Sequence, residues 1–267
     1  MRRLPTLAAS ITTFALVAGS AQAGESVCDT MISQADLPYV IGTPGRYCFA
    51  GNLNYAATTT QAILIWADNV TLDLRGYQLE GRGAGSATYT PGVSVVERGH
   101  VTIRNGTIRG FHYGVIFNDG PRNLNNTIED LQILDSAYTA LYVGWGSSHV
   151  IRRVRVDNTG GSTWSDAGYG STAGYGGRGI DLKATNTVIT DCVVTRTLSG
   201  TAAGWKRSSG IRTHAAGLIV NTQVVGDGTA DSTCFNLGPG TIYKDNVASA
   251  CATPYVGGTP VGTTNHP

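Results

Sequence analysis

The sequence predicts an all-β fold: a single-stranded right-handed parallel β-helix with an N-terminal cap and loop insertions. Two observations point there. A pair of short strand phrases recurs along most of the chain, and turn-forming residues punctuate each recurrence. A third observation is negative: helical periodicity is weak throughout.

The repeat is read first, because missing it mis-assigns a whole fold. Seven stretches align beneath one another: "NVTLDLRG", "HVTIRNGTI", "NTIEDLQIL", "HVIRRVRV", "TVITDCVV", "LIVNTQVV" and "TIYKDNVA". Their inward anchors are Leu72, Ile103, Ile128, Ile151, Ile189, Ile219 and Tyr243, with steps of 31, 25, 23, 38, 30 and 24 residues. The short steps define the unit, and the long ones hold the insertions "GRGAGSATYTPG", "NTGGSTWSDAGYGSTAGYGG" and "LSGTAAGWKRSS".

A second strand recurs as "GVSVVERG", "GVIFNDG", "ALYVGWG", "GIDLKAT", "GIRTHAAG" and "CFNLGPG". Glycine and asparagine punctuate both sets, as sharp turns require. A unit this short cannot cover its own apolar side, so units must stack to build a core. Parallel pairing ordinarily needs a long crossover; here one turn of the coil serves as that crossover. Its right-handed sense follows the general preference of parallel connections. A β-sandwich has no reason to repeat one two-strand phrase six times.

The ends differ. Residues 24–60 lack the full phrase and are expected to cap a terminal edge that would otherwise invite pairing. Residues 61–250 form the helix domain, and 251–267 a tail or weak cap. The opening "MRRLPTLAASITTFALVAGSAQA" reads as a secretory signal peptide, residues 1–23, cleaved after Ala23. The expected address is therefore periplasmic or extracellular. No later stretch is apolar enough to span a bilayer.

Nineteen basic residues face 18 acidic ones, and loss of Arg2 and Arg3 with the leader turns the net charge from +1 to −1. No basic tract suits a nucleic-acid backbone. Of five cysteines, Cys28 with Cys48 and Cys234 with Cys251 are the local pairings open to an exported chain. Cys192, in "TDCVVT", reads as a buried free thiol.

"PGRYCF", "NVTLDLRGYQLEG" and "HVTIRNGTIRGFHYGVIF" resemble the right-handed parallel β-helix proteins of the pectate-lyase-like superfamily. Within it the chain is most similar to secreted bacterial proteins with NosD-like repeats. The resemblance covers roughly residues 44–248. It implies architecture more than activity, since such folds serve lyases, hydrolases, epimerases and binding proteins. The NosD likeness raises metal handling. With two methionines and no His-x-His or Cys-x-x-Cys spacing, a copper site is disfavoured.

Stacking the second strands produces a testable surface. Val93, Val115, Leu141, Ile180, Ile211 and Phe235 fall in one inward column. Val95, Phe117, Val143, Leu182, Thr213 and Leu237 fall in the next. Between them an outward column reads Ser94, Ile116, Tyr142, Asp181, Arg212 and Asn236, followed by Val96, Asn118, Gly144, Lys183, His214 and Gly238. Neighbouring coils lie about 4.8 Å apart, so Asp181 falls beside Arg212 and Lys183 beside His214 on one exposed patch. The insertions carry Trp164, Tyr175 and Trp205, aromatic faces that could wall a groove for sugars.

Tyr142, Asp181, Lys183, Arg212 and His214 are the candidate catalytic residues. Asn118, Trp164, Tyr175, Trp205 and Asn236 are the candidate substrate contacts. The partner is an anionic or neutral polysaccharide. With an acidic sugar, Arg212 neutralises the carboxylate and His214 or Lys183 takes the neighbouring proton. Tyr142 then protonates the leaving oxygen, which is β-elimination, or returns a proton to the opposite face, which is epimerisation. Two alternatives stay open: a glycan-binding or structural β-helix, and a hydrolase, which needs two separated carboxylates where the chain has no Asp-Asp pair. Asp181–Arg212 read plainly is an exposed ion pair of little energetic weight. No cofactor is required; calcium could bridge groove and acidic sugar, though no carboxylate cluster predicts it. His112 and Tyr113 form a second candidate pair at a turn, while His100 and His149 read as stack-surface residues.

Overall fold

The computed structural model describes residues 27–118, 120–168, 170–262 and 265–266. The expected leader and its cleavage point lie outside the described residues. Among the latter, 23 strands belong to one continuous sheet that winds into a right-handed parallel β-helix.

Each coil has three faces. The stripe face stacks Tyr39–Ile41, Ile63–Ile65, Pro91–Val95, Tyr113–Phe117, Thr139–Val143, Arg178–Leu182, Ser208–Thr213 and the first part of Ser232–Lys244. The anchor face includes Val70–Asp73, Val150–Arg152, Thr187–Thr190 and Gly217–Val220. The third face includes Gln78–Glu80, Arg155–Thr159, Val193–Thr197, Gln223–Gly226 and Val247–Ser249. Thr102–Arg109 and Thr127–Leu134 each run through the corner between the second and third faces.

The seven anchors are rung partners in one unbroken column, Leu72–Ile103–Ile128–Ile151–Ile189–Ile219–Tyr243. All seven are buried. The inward stripe column from Val93 to Phe235 is equally continuous. Each coil thus adds several buried Ile, Val or Leu side chains, at about 1.5–3 kcal/mol apiece. This stacking is what offsets the conformational cost of ordering so short a unit.

The corners explain the punctuation. From anchor face to third face the chain turns through a single left-handed residue in successive coils: Asn105, Asp130, Arg153, Asp191, Asn221 and Asp245, with φ of 49–58°. Asn and Asp tolerate that region better than other side chains do. Their side chains also bond between coils, as when Asn221 Nδ2 donates to Asp191 Oδ1 at 2.6 Å.

Coiling begins inside the segment expected as a cap. Thr30–Ile32 pairs in parallel with Gly45–Phe49, which pairs with Val70–Asp73, and Tyr39–Ile41 pairs with Ile63–Ile65. The tail likewise supplies Thr253–Pro260, paired in parallel on Ser232–Lys244. Disulfides join Cys28 to Cys48 and Cys234 to Cys251, and Cys192 is free and buried. Among the described residues no helix is long and apolar enough to cross a membrane.

Candidate active site

Tyr142, Asp181, Arg212 and Asn236 are rung partners on the stripe face. Asp181 has no exposed surface. This corrects the expected exposed ion pair: Arg178 from its own strand and Arg212 and His214 from the next coil cover the carboxylate. Arg212 Nε donates to Asp181 Oδ1 at 2.8 Å, and its Nη2 donates to Oδ2. Arg178 Nη1 donates to Oδ2 at 3.4 Å, and His214 Nε2 lies 3.3 Å from Oδ1. Burial pushes the Asp181 pKa up, but the hydrogen bonds from His214 and Arg212, with the charges of Arg212 and Arg178, outweigh it and hold the group at about 2.

Strict alternation counted back from Ile180 points residue 178 inward. The structure turns it outward, and the cause is the small residue before each inward anchor, here Gly179. A Cβ on Gly179 would sit 2.4 Å from the Gly210 carbonyl oxygen and 2.5 Å from Val194 Cγ1, which belongs to the third face. The residue at this corner therefore faces the core as well, and alternation slips by one. Arg178 emerges on the stripe face with its guanidinium 4.9 Å over the Tyr138 ring.

The insertions join into one wall along the edge where the stripe strands begin. Thr163 N–H donates to the Ser86 carbonyl, linking the first insertion to the second. Gly176 N–H donates to the Trp205 carbonyl, and Thr201 and Ala202 N–H to the Gly174 carbonyl, linking the second to the third. Aromatic rings line this wall in sequence. Trp205 stacks on Tyr175 at 5.0 Å and 12°, and Tyr175 meets Tyr138 at 6.3 Å. Tyr138 and Tyr113 are 5.8 Å apart, and at the far end Trp164 stacks on Tyr89 at 4.3 Å. Burial, and then the neighbouring Tyr138 and Tyr89, push the Tyr113 phenol well above its ordinary range, so it stays protonated.

Two clefts open beside the wall. The first, about 290 Å³, is lined by Tyr113, Ile116, Asn118, Tyr138, Thr139, Tyr142, Arg178, Lys183 and Arg212. The second, about 330 Å³, is lined by Arg178, Gly204, Trp205, Lys206, Arg207, Ser209, Arg212, Asp231 and Asn236. Arg178 and Arg212 are common to both, so the clefts adjoin. Lys183 Nζ lies 5.4 Å over the Tyr142 ring in the first.

Charge separates this site from ordinary surface pairing. On the anchor face Asp73, Arg104, Glu129 and Arg152 alternate in sign along successive coils and pair one for one. Among the described residues the two clefts instead carry Arg178, Lys183, Lys206, Arg207 and Arg212 against one lining carboxylate, Asp231, and the buried Asp181. The surplus is positive and suits a polyanion.

Of the residues nominated from sequence, Tyr142, Lys183, Arg212 and Asn118 meet in the first cleft, and Trp205 and Asn236 in the second. His214 lines neither and reaches the site through Asp181. Tyr175 underlies Trp205, and Trp164 packs on Tyr89 away from both lining sets. Arg178, Tyr138, Lys206, Arg207 and Asp231 were not legible in the outward columns: Arg178 because alternation slips, the others because they belong to corners and loops. His149 is buried against Phe117, correcting its placement on the stack surface, since the turn before Val150–Arg152 folds inward. Buried His112 has no hydrogen-bond partner of good geometry at either ring nitrogen. Burial lowers the pKa of His112 and of His149 to about 4. Among the described residues no cluster of three or more His, Cys, Asp or Glu side chains comes together.

No protein-family model and no curated protein matches the sequence. Among solved structures, the fold is similar to the crystal structure of an alginate lyase from Paenibacillus sp. str. FPU-7, with a TM-score of 0.59 and 15% identity over 89% of this chain and 97% of that one. What the two share at this identity is the parallel β-helix.

Proposed function

We propose that this chain is an exported polyuronate lyase. One observation carries the reading: Lys183 and Tyr142 share a cleft with the guanidinium groups of Arg178 and Arg212. That is the equipment for β-elimination from an acidic sugar. The alginate lyase that shares the fold supports the substrate class, the disulfides suit an oxidising compartment, and the leader sequence suits export.

The proton at C5 of a hexuronate is removed with difficulty because its electrons must be stored on the carboxylate. Arg212 and Arg178 face that carboxylate and stabilise the enolate as it forms. Asp181 holds Arg212 by two parallel bonds, so the guanidinium is positioned before substrate arrives. Lys183 takes the C5 proton. The electron pair then forms the C4–C5 double bond and expels the C4 oxygen, which Tyr142 protonates. His214, which meets Asp181 at Oδ1 where Arg178 meets Oδ2, is a positioning residue in this scheme.

Hydrolysis by paired carboxylates gains no support, because Asp181 is buried and committed to two arginines, which leaves Asp231 as the one lining carboxylate among the described residues. The deciding experiment incubates the purified chain with polyuronates and follows ultraviolet absorbance of the unsaturated end. New reducing ends without that absorbance would sink the lyase. Solvent deuterium entering the sugar without cleavage would identify an epimerase, and retention of glycan without turnover a binding protein.

A further inference from the structure

The reaction needs only the first cleft, yet the second adjoins it through Arg178 and Arg212 and is assembled from an insertion that the β-helix itself does not require. Its walls bear a recognisable chemistry. Trp205 is 55% exposed, and one face of its indole is covered by Tyr175. Lys206 and Arg207 follow it directly and line the same space. Asp231 and Asn236 add oxygen acceptors.

The placement is fixed rather than incidental. Trp205 carbonyl accepts from Gly176 N–H at 2.8 Å, Gly174 carbonyl accepts from Thr201 and Ala202 N–H at 2.8 Å, and Lys206 carbonyl is held within its own loop by Gly200 N–H at 2.7 Å. Below them runs the chain of rings from Tyr175 to Tyr138, on which Arg178 also rests. The second insertion thus holds the third in register with the guanidinium groups at the reacting centre.

We propose that the second cleft is a sugar subsite contiguous with the reacting one. Trp205 stacks on the face of the adjoining acidic sugar, Lys206 and Arg207 bind its carboxylate, and Asp231 accepts from a hydroxyl. Apolar sugar faces suit indole, and cations beside a stacking platform suit a charged ring. The preferred ligand then presents carboxylates on successive sugars. A glycan with one charge per two sugars leaves either Lys206–Arg207 or Arg178–Arg212 unanswered. The assignment rests on the uronate reading of the first cleft, but it concerns binding and can be read without turnover.

The test measures both binding and turnover for the wild type, Trp205→Ala and the double variant Lys206→Gln/Arg207→Gln. Binding is read by calorimetry with a saturated tetrauronate that carries a carboxylate on every sugar, and with a tetramer that carries one on every second sugar. The expected result is a loss of roughly tenfold or more in tetrauronate affinity for each variant. The double variant should also show a weaker salt dependence and a smaller preference over the half-charged tetramer. If lyase turnover is present, KM for the polymer rises by a similar factor while kcat holds. Unchanged affinity, KM and preference in both variants would overturn the subsite even with lyase activity intact. Weakened tetrauronate binding with no unsaturated product from the wild type would keep the subsite and reject the lyase. No tetrauronate binding by the wild type would reject both.

Discussion

Asp181 and Arg212 are separated by 31 residues, yet they occupy the same rung position in consecutive coils and share two hydrogen bonds in a site where the acid has no exposed surface. Removing the acid leaves Arg178 and Arg212 crowded without their counter-charge. Asp181→Asn is expected to cost about 3–5 kcal/mol of stability and to lower kcat/KM together with it. Chemical denaturation and steady-state kinetics check this. Arg212→Lys should lower both stability and kcat/KM as well, because an ammonium cannot reproduce the paired geometry of the guanidinium.

Tyr142→Phe keeps the ring beneath Lys183 and deletes the hydroxyl. If that hydroxyl protonates the leaving oxygen, kcat falls by roughly 10²–10⁴ with little change in KM. Melting should move little, since surface-facing substitutions of this kind usually stay within about 0.5 kcal/mol. Retained kcat would remove Tyr142 from the mechanism.

Stability should fall on mild acidification. His112 and His149 are buried neutral, with folded-state pKa values lowered to about 4 against an ordinary 6.5. The unfolded chain therefore binds more protons in this window, so stability is full above pH 6.5 and declines as pH drops toward 4. Each histidine accounts for on the order of 3 kcal/mol. Asp181, depressed from 3.8 to about 2, adds a further loss between those values. Melting temperature against pH for the wild type and His112→Phe reads this directly; the variant should show a shallower slope between pH 6.5 and 4.

Gly200 lies where two insertions touch backbone to backbone. A Cβ there would come 2.2 Å from the Gly174 oxygen and 2.5 Å from the Gly176 nitrogen. Gly200→Ala is expected to push the third insertion away from the second, raising polymer KM several-fold. The β-helix should keep its melting temperature, because no core column is involved.

The disulfides fasten the ends of the coil. Cys234–Cys251 spans 17 residues and lies just before the terminal strand Thr253–Pro260. Replacing both cysteines by alanine should cost about 3 kcal/mol. Hydrogen exchange should speed first in residues 253–260 and not at the buried anchors Ile128 and Ile151.

The repeat and its register were legible because the columns obey a local rule. From Leu72 to Tyr243, and from Val93 to Phe235, alternation along each strand and recurrence between strands suffice to place side chains inside. The outward partners Tyr142, Asp181, Arg212 and Asn236 followed from the same rule, while both disulfide pairings followed from cysteines close in sequence in a chain expected to be exported. Burial of Asp181 did not follow, because column order places Arg212 beside it but does not show Arg178 of its own strand turning outward to close over it. Arg178 escaped because its orientation depends on how closely the third face approaches Gly179, which strand alternation does not encode.

By itself, then, the sequence determined the coil and which residues share a column, since period-two alternation and a stacked repeat are short-range regularities printed in residue order. Only the tertiary structure decided that three insertions meet as one wall, that Lys183 and Tyr142 share a cleft with two arginines, and that Asp181 lies beneath them. Those relations arise from contacts between loops and faces far apart in the chain, where glycine backbones approach within van der Waals distance and no periodic pattern records the approach.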